Sequence, residues 1–143
     1  MARKEDEEKI WLRRYRDAKR ELRRLEGERR ELTDAQKPET GPGRSGRPRK
    51  NKESNGSQNT AALIKTYSIK ISAARQQAEE TFIEITSAID ALENSSQREV
   101  LSRRYLQLDG YELMGWDKIA AELGYQPNTL YKLHREALKK LRT

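Results

Sequence analysis

Apolar residues recur along this chain at steps of three and four, so its patterned stretches predict helices. In residues 115–142, Trp116, Ile119, Ala120 and Leu123 share one face of a first helix. Gly124 follows, where a helix ends and the backbone needs a positive φ. Pro127 suits the first turn of the next helix, because its missing N–H would have had no partner there. Leu130, Leu133, His134, Ala137, Leu138 and Leu141 then line the inner face of a second helix over 127–141. At about 100° per residue, Asn128, Lys132, Arg135 and Lys139 project from the opposite side.

Two longer stripes precede this pair. Residues 1–34 carry Trp11, Tyr15, Ala18, Leu22, Leu25 and Leu32 in a heptad stripe, with Arg29 in the remaining seam position. Both signs of charge crowd the other positions, 12 Lys/Arg against 10 Asp/Glu, so one narrow seam predicts a partner helix. Residues 60–94 repeat the pattern through Ile64, Tyr67, Ile71, Ala74, Ala78, Phe82, Ile85, Ile89 and Leu92. Between them, residues 35–59 hold three prolines and four glycines and predict a disordered linker. The two stripes predict a coiled-coil hairpin, antiparallel within one chain, or a parallel pairing across a homo-oligomer through 1–34 and 60–94. A linker of this length permits both.

Residues 95–143 form a third region. Ser96-Gln97-Arg98-Glu99 reads as a capping box at the start of a bracing helix. That helix turns Val100, Leu101, Tyr105 and Leu108 inward and Arg98, Arg103 and Arg104 outward. Asp109-Gly110 predicts a turn. The expected fold is therefore all-α, with two long helices, a disordered linker and a C-terminal three-helix unit containing a helix-turn-helix.

Composition narrows the chemistry. Of 143 residues, 37% are charged and only 34% hydrophobic, which favours thinly covered helices over a large core. The net charge of +7 points to a polyanionic partner, nucleic acid before a membrane surface. The linker contributes 6 Lys/Arg against 2 Asp/Glu. With no cysteine there is neither a disulfide nor a thiolate metal site. No apolar run is long enough to span a bilayer and no signal peptide is visible, so no membrane role is expected.

The outer face of helix 127–141 carries the functional signal. An amide near the N-terminus followed by cations suits a helix in the major groove of double-stranded DNA, with early residues at base edges and later ones at phosphates. The plain alternative is a solvated basic face on a helical hairpin. In the linker, Arg44, Arg47, Arg49 and Lys50 surround a Gly-Arg-Pro core similar to an AT-hook. The alternative there is a flexible basic segment that holds phosphates without reading sequence. No catalytic constellation is present, so no enzyme, metal or cofactor is expected. The lone His134 sits on an apolar face and reads as a packed histidine.

Residues 97–142, through "REVLSRRY", "WDKIAAELGY" and "HREALKKLR", resemble region 4 of sigma-70-type transcription factors. The whole chain is similar in architecture to the ArpU late-transcription family of phages and prophages of Gram-positive bacteria. The resemblance implies a sequence-specific transcriptional regulator in the bacterial cytoplasm that contacts promoter DNA and RNA polymerase. It places Gln126, Asn128, Thr129, Lys132 and Arg135 at DNA-facing positions. Here residue 126 is Gln, where the usual N-cap is a small Ser, and residue 127 is Pro. No promoter-melting region is visible, so a complete sigma factor is not implied. The second function class is a DNA-packaging, small-terminase-like subunit, which also joins a helix-turn-helix to an oligomerising helical region. A third, a coiled-coil adaptor, would bind no DNA.

Overall fold

The computed structural model describes residues 4–36 and 50–142, with side chains for 4–35 and 58–142. The elements are α1 (Lys4–Leu12), α2 (Arg14–Gln36), α3 (Lys50–Asp90), α4 (Ser95–Leu101), α5 (Trp116–Leu123) and α6 (Pro127–Lys140). A π-helical turn, Ser102–Leu106, continues α4. Among the described residues every regular element is helical. The extended contact is an isolated antiparallel bridge between Asp109 and Glu112, closed around Gly110 at φ 69°. The chain divides into two compact units, 21–75 and the remainder.

In the 21–75 unit, Leu22 and Leu25 of α2 bury against Ile71 of α3, flanked by Tyr67 and Ala74. Glu26 pairs with Arg75 at 2.9 Å, and Arg29 donates to Ser68 Oγ at 3.3 Å. Higher numbers on α2 meet lower numbers on α3, so within this unit the pairing is antiparallel and within one chain. Arg29 is tolerated in the seam because a serine, not a bulky apolar residue, stands opposite it. The helical backbone of α3 begins at Lys50, ten residues before the start that composition suggests. After Pro48 no further proline blocks helix, and Gly56 is the costliest residue against it, at about 1 kcal/mol.

The larger unit has two core clusters. One joins Leu12, Ile85, Ile89, Leu92, Leu101, Tyr105, Ala137, Leu138 and Leu141. The other joins Val100, Met114, Ile119, Ala120 and Leu130. Each buried Leu or Ile contributes about 1.5–3 kcal/mol, so these clusters hold the unit together. The expected single helix over 1–34 is two helices. Arg13 interrupts it, although Arg13 N–H still reaches the Lys9 carbonyl at 3.0 Å. The bend leaves the i to i−4 bonding unbroken, since Asp17 N–H also reaches the Arg13 carbonyl at 3.0 Å. Glu8 and Leu12 are 2% and 0% exposed, whereas Trp11 of the expected stripe is only partly buried.

Three further expectations are corrected. Phe82, placed in the α3 seam, is 38% exposed, and Thr81 is 2% exposed in its stead. A strict heptad through Ile71, Ala78 and Ile85 puts residue 81 in the second seam position, leaving Phe82 on the shoulder against the edge of Tyr15. The cap of α4 is Asn94, not Ser96: its side chain accepts from Gln97 N–H at 3.0 Å. The hydroxyl of Ser96 instead accepts from Tyr125 at 2.9 Å. Finally, Arg98, Arg103 and Arg104 are half-buried and engaged. Arg98 donates to the Leu92 and Glu93 carbonyls in the link between α3 and α4, and Arg103 pairs with Glu122. Arg104 lies over the Trp116 ring and donates to the Met114 carbonyl at 2.6 Å.

Candidate nucleic-acid interface

The turn that places α6 is built from backbone. Gly124 takes the left-handed conformation, φ 75°, and its N–H and that of Tyr125 both return to the Ala120 carbonyl, at 2.9 and 3.1 Å. Gln126 is extended and caps α6 through its carbonyl, which accepts from Leu130 N–H at 3.0 Å. Its side chain makes no capping bond. Pro127 opens the helix. Leu130 at the front of α6 enters one core cluster, and Ala137, Leu138 and Leu141 at the back enter the other. A helix held at both ends cannot roll about its axis, so its outer face is fixed.

That outer face carries Asn128, Thr129, Lys132, Arg135 and Lys139, all exposed, with exposed Gln126 just ahead of them. These are the sequence-predicted positions, and α6 brings them together. Lys139 has a neighbour the periodicity did not suggest: Lys4 Nζ of α1 donates to its carbonyl at 2.8 Å, placing a cation at the negative end of α6. Tyr131 was also not anticipated. It is 43% exposed beside Asn128 and Arg135, with its ring edge-on to Trp116 at 5.5 Å. The linker residues Arg44, Arg47 and Arg49 lie outside the described residues, as does the side chain of Lys50.

His134 is 6% exposed on the inner face. Its Nε2 lies 2.8 Å from the Tyr105 hydroxyl, and the Trp116 ring stands 4.7 Å away. Burial, helped by the nearby charges of Lys9, Arg104 and Arg13, pushes its pKa down to about 3. Burial likewise pushes the Tyr105 phenol up. Both groups are therefore neutral near pH 7, and the pair pins α6 to the π-helical turn. Among the described residues, no cluster of His, Cys, Asp or Glu has metal-holding geometry, and no helix is long and apolar enough to cross a membrane. Comparison of the chain with family models, curated proteins and solved structures returns no match.

Proposed function

We propose that this protein is a sequence-specific DNA-binding transcriptional regulator that reads the major groove with α6. The supporting observation is the two-sided character of that helix: an apolar face tied into both cores, and an outer row of Gln126, Asn128, Thr129, Lys132, Arg135 and Lys139. In this reading α5, the Gly124 turn and α6 act as a helix-turn-helix. The first turn of α6 lies deepest in the groove, where Asn128 pairs with an adenine edge and Lys132 reaches a guanine. Arg135 and Lys139 meet phosphates. RNA polymerase is a further partner in this proposal, and the bacterial cytoplasm the setting.

The test is the salt dependence of duplex binding. With about 4–6 phosphate contacts, log affinity should fall against log salt with a slope of about −4 to −5. Absence of duplex binding at low salt would overturn the reading. A closed ring in solution would favour the packaging class over transcription.

A further inference from the structure

The larger unit contains a cavity of about 240 Å³ beside the middle of α6. Four permanent cations line it: Lys9 of α1, Arg13 at the interruption before α2, Arg104 of the π-helical turn and Arg135 of α6. Glu5 is the carboxylate facing them. Elsewhere in this unit arginines meet carboxylates, as in Arg14–Glu84, Arg20–Glu112, Arg103–Glu122 and Arg142–Glu8. Here they do not. The Nε atoms of Arg13 and Arg104 are buried without a hydrogen-bond partner.

This arrangement is unfavourable as it stands. Like charges gathered around one space repel, and an unpaired buried donor costs about 1–3 kcal/mol. Arg104 is held below its usual pKa, first by burial and then by the charges of Arg13 and Arg16. A group with several acceptor oxygens and at least one negative charge would relieve the repulsion, because guanidinium forks match oxyanion geometry. We propose that this cavity binds a phosphate-type oxyanion. Arg13, Arg104 and Lys9 would hold the oxygens, with Arg135 closing from α6. Two sources share that chemistry: a backbone phosphate of DNA lying along α6, and a free phosphorylated small molecule.

The experiment uses the full chain and inorganic phosphate. Thermal melts are recorded in rising phosphate and in chloride at matched ionic strength and pH. A ligand of the folded state raises Tm with its concentration. Phosphate should therefore raise Tm beyond chloride, Arg13→Gln and Lys9→Gln should each reduce that increment, and Glu5→Gln should enlarge it. Increments are compared as free energies, each Tm shift multiplied by that variant's own unfolding entropy, so the Glu5 arm is informative even if Arg13→Gln folds poorly. Equal shifts in phosphate and chloride, or an increment unchanged in all three variants, would overturn the proposal. This readout does not depend on DNA binding. The source is then assigned by the salt slope on duplex DNA. A DNA phosphate in the cavity predicts a slope shallower by about one in Arg13→Gln, and a free anion predicts no change.

Discussion

Arg142 Nε donates to Glu8 Oε2 at 3.0 Å, joining residues 134 positions apart. A second guanidinium nitrogen reaches Glu8 Oε1, and the guanidinium lies over the Trp11 ring, 4.3 Å from its centre. Glu8 is 2% exposed, so its carboxylate has exchanged water for this one cation. The pair fastens α1 to the end of α6, where Lys4 of α1 also reaches the Lys139 carbonyl.

Arg142→Ala should destabilise the protein by about 1–3 kcal/mol, because it leaves a buried acceptor without its donor. The solvent-facing side of Arg142 keeps the cost toward the lower end. Urea unfolding followed by circular dichroism measures it. A midpoint equal to wild type would show that α1 is held by its apolar contacts alone.

The buried His134 predicts acid sensitivity. Its folded pKa of about 3 lies below the unfolded value of about 6.5, so between them the unfolded chain binds the extra proton. Its contribution is therefore fully present above pH 6.5 and lost as pH falls toward 3, at about 1.4 kcal/mol per pH unit. Carboxylates titrate in part of the same range, so the comparison is with His134→Gln. The variant should be less stable than wild type at pH 7.5 and should close that gap by pH 4.5. A gap independent of pH would contradict a neutral buried imidazole.

Leu130→Ala should cost about 2–5 kcal/mol, since Leu130 is fully buried against Val100, Ile119 and Ala120. Lys132→Ala, on the exposed face, should leave the stability within about 0.5 kcal/mol of wild type. The two melts, side by side, separate the structural face of α6 from the face proposed to bind. Similar losses in both would mean that the outer face is also structural.

Removing residues 44–52 should make the salt slope of DNA binding shallower and lower non-specific affinity, with the preferred sequence unchanged. Footprints and a salt titration report both quantities. A changed preferred sequence would make the linker a reader, in the manner of an AT-hook.

Much of α6 was legible because its signals are local. Gly124 and Pro127 bracket the turn, and a 3.6-residue period separates Leu130, His134 and Leu138 from Asn128, Lys132 and Arg135. The observed helix ends at Lys140, one residue short of the expected end. The seam of α3 was less legible, since bulk favours Phe82 while heptad geometry selects Thr81. The cap at Asn94 was hidden by two serines that mimic it. Nothing near Glu8 could reveal its burial, because its partner Arg142 lies 134 residues away in sequence. A charge-rich helix gives no local sign of which carboxylate is buried.

The most direct test of DNA reading by α6 is a binding-site selection on wild type and Asn128→Ala, with melts to confirm that both are folded. Groove reading by α6 predicts one preferred sequence for wild type. In Asn128→Ala it predicts relaxed preference at one base position, costing about 1–3 kcal/mol there, with the other positions retained. Lys139→Ala in the same selection should weaken all sequences about equally. An intact Asn128→Ala protein with an unchanged base preference at every position would contradict the placement of α6 in the groove.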